Sequence, residues 1–314
     1  MYGGYAWLTN QAPPVSTARR LLLIGGMVAF FVCALAIPHA FTETGLVFGL
    51  GYLLVILVHG GLYAQSHGRV VLRFVPFNVA GAVCVIVASQ LTGTAVYALW
   101  VAPMALQYLA SAMAAGVDES SRSGFDIRPA HFVERHGGLL IIALGESLAV
   151  IGIGVTDLTL NLSTLATAVL GLLLASALWW TYFATDADRA EAHLRDAPIK
   201  DRVRMALLGY FYAFLPMLLG ITGLAAGLKL TISHVDAPLP LAPAFVLAGG
   251  VALYLLSNTI FRWTMHIQRS WYRVAAAIVA LMTTALGTFV AGIVELVGLL
   301  ATVVMMLVLE ARYG

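Results

Sequence analysis

Glu146 is the residue of this sequence that most needs a chemical explanation. It lies in an otherwise apolar stretch, 139–154 (LLIIALGESLAVIGIG). A carboxyl among aliphatic side chains is costly unless it is protonated, paired or in contact with water, so it marks an ion, proton or substrate path by default. Eleven residues earlier stands Arg135, within the segment His131-Phe132-Val133-Glu134-Arg135-His136. At 100° per residue, Arg135 and Glu146 lie about 20° apart around a helix, and His131 about 60° from Glu146. Arg135 is about 16 Å below Glu146 along the axis, too far for contact. The face reads as a polar path from one membrane surface to a buried carboxyl that is neutral at rest, with Glu134 beside the entrance. The alternative is structural: a protonated, hydrogen-bonded Glu146, with His131, Glu134, Arg135 and His136 anchoring the helix end. His59, in 57–61 (LVHGG), is the other titratable candidate. Asn78, Gln107 and Asn258 suit hydrogen bonds between helices, and Glu295 suits an interfacial carboxylate.

Other chemistries fail on spacing. His131 and His136 are five apart, roughly 140° around a helix, where the zinc pattern HExxH needs four. Gly152-Ile153-Gly154 follows no strand, so it does not read as a nucleotide loop. No nucleophile stands near a base. Cys33 and Cys84 sit in separate apolar runs and read as small buried hydrophobes. The expectation is a protein with no catalytic residue, metal or cofactor, and not an enzyme.

The elements that position these residues follow from composition. Of 314 residues, 61% are hydrophobic and 10% charged, with a mean hydropathy of +0.92. Soluble domains carry about 25% charged residues. A soluble enzyme, a disordered chain and a basic nucleic-acid binder are excluded; the expected medium is the lipid bilayer. A hydrocarbon core of about 30 Å needs roughly 20 helical residues. Apolar runs fall at 21–37, 46–65, 74–91, 94–115, 133–154, 162–184, 205–230, 242–262 and 272–311. The last, at 40 residues, would be about 60 Å long; it divides into 272–288 and 292–311 at a turn near Gly287–Gly292. The expectation is an all-α polytopic protein, a single membrane domain over 1–314 with about ten spans. Continuous rather than alternating runs exclude a β-barrel. The polar connection 185–204 reads as a short amphipathic helix.

Basic residues test the count. Arg19 and Arg20 precede the first span. Arg69 and Arg73 follow the second, Arg122, Arg128 and Arg135 the fourth. Arg189, Arg195, Lys200, Arg202 and Arg204 follow the sixth, Arg262, Arg269 and Arg273 the eighth, and Arg312 the tenth. Sixteen of the 17 basic residues thus fall on one side, and Lys229 on the other. By the positive-inside rule both termini are cytoplasmic. The first span, after Arg19-Arg20, also has features of a signal peptide, but its run is long and begins well inside the chain. Trp179, Trp180, Tyr182, Trp263, Trp271 and Tyr272 suit an interfacial belt. Gly45-x-x-x-Gly49 and Gly223-x-x-x-Gly227 allow close helix approach.

The pair His131–Gly137 and Ile141-Ile142-Ala143-Leu144-Gly145-Glu146-Ser147 resembles the signature of the bacterial low temperature requirement protein A family. Trp7-Leu8-Thr9-Asn10 resembles the end of an early family helix. Trp179–Phe183 with Asp188-Arg189-Ala190-Glu191, and Gly227-Leu228-Lys229, resemble later segments. Members open with an acidic, Phe-rich helix and a Trp-rich second one, so the resemblance implies that this chain lacks the first N-terminal helices. The family is named for a growth phenotype, and the resemblance implies no particular reaction. The functional expectation is a multi-pass protein of the bacterial cytoplasmic membrane, transporter or channel-like, for a small solute or ion. The alternative is a non-transporting membrane protein supporting envelope function or growth in the cold or under stress. A membrane-embedded enzyme comes third.

Overall fold

The computed structural model describes residues 2–11, 16–65, 74–114, 127–154, 161–232, 235–268 and 271–313. Every regular element among them is helical, and none is a strand. The apolar runs are long enough to satisfy their backbone groups internally, which lipid demands and only helices or closed barrels achieve. Among the described residues, eight helices have the length and composition to cross a membrane, and Val75–Ala88 and Thr94–Gln107 are shorter apolar ones. At 14 residues, Val75–Ala88 is about 21 Å long, shorter than the full span expected at 74–91. Large apolar side chains face outward, among them Phe31, Ile142, Leu162 and Phe289, as suits a body solvated by lipid.

The chain divides into two compact units, Met1–Arg128 and Pro129–Gly314. The first holds α1 (Tyr2–Gln11), α2 (Thr17–Ala36), α3 (Gly45–Ala64), α4 (Val75–Ala88) and α5 (Thr94–Ala114). Ser16 caps α2, its side chain accepting from the Arg19 N–H. Gly49 lets α3 meet α4: a Cβ there would lie 2.7 Å from Ile86 Cγ1. Leu8, Leu62 and Tyr63 form a small core that gathers Tyr5, Leu22, Leu23 and Val58. The Tyr5 hydroxyl donates to the Val55 carbonyl at 2.9 Å.

The second unit holds α6 (Pro129–Gly154), α7 (Leu162–Phe183), α8 (Asp186–Asp196), α9 (Ile199–Ala206), α10 (Phe214–Ile232), α11 (Leu241–Thr264), α12 (Trp271–Met282), α13 (Thr284–Phe289) and α14 (Gly292–Tyr313). A π-helical stretch, Leu207–Ala213, joins α9 to α10. The connection 185–204, expected as one amphipathic helix, is two. Pro198 adopts an extended conformation between them, and Arg202 Nη2 donates to the Arg195 and Ala197 carbonyls that end α8.

The turn expected near Gly287–Gly292 lies between α13 and α14. It is tied to the 235–239 segment by the Leu239 N–H donating to Gly287 O at 2.9 Å and the Gly292 N–H to Ala237 O at 3.3 Å. The ninth run also breaks at Thr283, which the sequence reading missed. There Thr283 Oγ1 donates back to the Ala280 carbonyl at 2.6 Å, a local bond that competes with the helical ladder.

Candidate functional site

α6 presents two faces. Phe132, Val133, His136, Gly137, Leu140, Leu144, Ser147 and Ile151 are buried, packed against α7 and α10. Glu134, Arg135, Ile141, Ile142, Gly145 and Glu146 are exposed, and His131 is half-buried. The expected alignment of Arg135 and Glu146 on one face therefore holds, but that face turns away from the core of its unit. The expected burial of Glu146 does not occur: buried Ser147 takes the inward position, and Glu146 points out. Gly138, Gly145 and Gly152 have nothing within 4 Å of where a Cβ would stand, and the exposed side of α6 mixes these bare positions and its charged groups with outward-facing Ile142 and Ile153.

His59 lies elsewhere. It is buried in α3 of the first unit, with its ring centroid 5.1 Å from that of Tyr5 and 4.9 Å from that of Tyr63. A Cβ on Gly4 would come within 3.0 Å of its Nε2. This is an aromatic packing position. His59 belongs to one unit, and His131, Glu134, Arg135 and Glu146 to the other.

Inside the second unit, His136 is the titratable member of the His131–His136 segment that enters the core, beside Phe132 and Val133. Its Nδ1 donates to the Phe132 carbonyl at 2.8 Å. Its ring lies 4.7 Å from Tyr210, on the π-helical stretch, and Tyr210 lies 5.1 Å from Phe261. The extra residue of a π-turn re-aims side chains, and such turns are frequent at functional sites. Tyr182, expected in the interfacial belt, is fully buried here, whereas Trp179, Trp180, Trp263 and Trp271 are exposed.

At one end of the unit, four charges meet. Asp186, in the first turn of α8, accepts from Arg262 Nη1 at 2.8 Å through one oxygen and from Arg273 Nη1 at 2.7 Å through the other. Glu310, near the end of α14, forms an ion pair with Arg262 Nη1 at 2.9 Å and accepts from Arg273 Nε at 3.0 Å. Arg273 also donates to the Asn258 side-chain oxygen, and Arg262 Nε to the Gln268 carbonyl at 3.0 Å. Asp186, Arg262 and Arg273 are buried. Two acids and two guanidiniums balance in charge and fasten α8, α11, α12 and α14 together. Burial of ions is sustained only by such close pairing. Sequence reasoning placed Arg262 and Arg273 between the eighth and ninth spans without partners; the structure pairs both with acids, and Asn258 is a ligand of the network as much as a helix-to-helix bond. Each charge stands at the end of an apolar run, which is a signal of position but not of partner. Arg69, Arg73, Arg122 and Arg269 lie outside the described residues.

Glu295 also departs from expectation. Rather than being interfacial it is fully buried, in the first turn of α14. A cleft of about 510 Å3 opens nearby on α13, lined by Leu239, Leu241, Thr284, Ala285, Thr288 and Phe289.

Comparison with known proteins adds the following. The family described as bacterial low temperature requirement A protein (LtrA) matches residues 1–310. The uncharacterized protein RA0937 of Rhizobium meliloti (strain 1021) is 27% identical over 240 residues, which are 72% of this chain and 56% of that protein. The chain thus matches little more than half the length of that relative. No solved structure matches.

Proposed function

The chain belongs to the bacterial low temperature requirement A (LtrA) family, and we propose that it moves a small solute or ion across the bacterial cytoplasmic membrane, as a transporter or channel-like protein. Glu146 carries this reading. It lies eight residues from the end of α6, about 12 Å in, on a face its own unit does not cover. An ionisable side chain at that depth is held against water or a polar partner rather than lipid. Glu134 and Arg135 extend the face towards the other end of the helix, and the bare positions at Gly138, Gly145 and Gly152 leave room beside it. The distribution of Arg and Lys supports a cytoplasmic position for both termini.

The test uses single cysteines in a protein whose Cys33 and Cys84 are alanine. Glu146→Cys should react with a membrane-impermeant thiol reagent in intact vesicles, while Val169→Cys, on an exposed apolar face of α7, should not. In proteoliposomes, the wild-type protein should dissipate an imposed ion or proton gradient, and Glu146→Gln should insert normally and lose that flux. An unreactive Glu146→Cys together with no flux by the wild type would leave a non-transporting membrane protein supporting envelope function or stress growth.

A further inference from the structure

We propose that Glu295 is a proton-binding site of the second unit, served by the cleft on α13. The carboxyl is completely buried, and neither of its oxygens has a hydrogen-bond partner. Its side chain occupies the space against Gly287 of α13 that any larger residue there would fill, and Ala244 of α11 borders the same space. Thr284, which lines the cleft, has a buried hydroxyl that likewise lacks a partner.

Among the described residues, the charged and titratable groups around Glu295 are exposed, engaged elsewhere or distant; Asp236, on the 235–239 segment bonded to the start of α14, accepts from the Ser163 hydroxyl at 2.9 Å. α14 packs against α7, α10, α11, α12 and α13. α13 carries no titratable group, and α7 carries only Tyr182, whose hydroxyl meets that of Tyr210. On α10, Lys229 is exposed. On α11, Tyr254 donates to the Leu178 carbonyl. Arg262 and Arg273 are engaged with Asp186 and Glu310. Glu310 lies fifteen residues further along α14, about 22 Å away, and Arg312 lies beyond it; Tyr272 adjoins Arg273 at the start of α12. A hard metal cation would need a shell of several oxygens, and among the described residues no group of three or more His, Cys, Asp or Glu side chains gathers to hold one. A proton needs only one carboxyl oxygen. That is the ligand this pocket is built to take, and the cleft opens on the same short helix that carries Gly287.

The site is independent of the transport reading, and its test is a different one. Infrared spectra of the wild-type protein in lipid at neutral pH should show the C=O stretch of a protonated carboxylic acid that shifts in deuterated water. The band should vanish in Glu295→Gln and persist in Glu146→Gln. Dicyclohexylcarbodiimide, which takes the proton of a carboxylic acid in apolar surroundings and is then attacked at its central carbon by the carboxylate oxygen, should label the peptide carrying Glu295 in the wild type. A band that survives in Glu295→Gln overturns the proposal. If that variant fails to fold, the labelling decides: wild-type protein unlabelled at Glu295 overturns it as well.

Discussion

At the residue scale, the structure separates charges that the sequence presents alike. Arg189 and Arg195 are exposed on α8, while Arg262 and Arg273 are buried with Asp186. Removing one member of such a group leaves an uncompensated charge in a poorly solvating interior, at about 3–5 kcal/mol. Asp186→Asn leaves two guanidiniums facing Glu310 alone. It should lower the unfolding midpoint of the detergent-solubilised protein steeply, whereas Asp188→Asn, on the exposed side of the same helix, should leave it within error. Equal midpoints for the two variants would show that the network adds nothing to stability. The outward direction of Glu146 could be read from periodicity once one neighbour is fixed: Leu140, Leu144, Ser147 and Ile151 repeat at helical spacing on the opposite side. The sequence supplied that spacing without saying which stripe the rest of the unit would cover.

At the scale of elements, close approach decides which glycines matter. α10 and α11 cross with backbones touching: a Cβ on Gly250 would lie 2.5 Å from the Leu224 nitrogen and 2.7 Å from the Gly220 carbonyl oxygen. Gly250→Ala should therefore force the two helices apart, at about 1–3 kcal/mol. Gly138, on α6, has open space around it, and Gly138→Ala should raise stability by about 0.5–1 kcal/mol through the entropy of the unfolded chain. Thermal unfolding of the two variants should move in opposite directions. The division of the last long run was legible because a 40-residue helix cannot fit a bilayer. The second break at Thr283 was not, because a threonine hydroxyl bonding back to its own helix leaves no trace in hydropathy.

For the whole molecule, topology is the proposal that the charge distribution makes. Reporter fusions after Thr42, Thr92, Leu158, Asp236 and Val290 should read outside the cytoplasm, and fusions after Gly68, Ser120, Arg195 and Ile267 inside. Two successive fusion points on the same side would contradict ten crossings. The 14-residue α4 makes the stretch from Gly68 to Ser120 the most searching part of that test, since a helix of about 21 Å spans only a locally thinned bilayer or goes part-way.

The sequence by itself determined the helical membrane class and the family. These depend on the length of apolar runs, the ends marked by charge, and a few motifs, all of them local in the chain. Only the tertiary structure decided the direction of Glu146, the burial of Glu295 and the partnership of Asp186 with Arg262 and Arg273, which stand 76 and 87 residues away. Packing brings those groups together, and the free energy of a buried charge depends on what surrounds it rather than on its place in the chain.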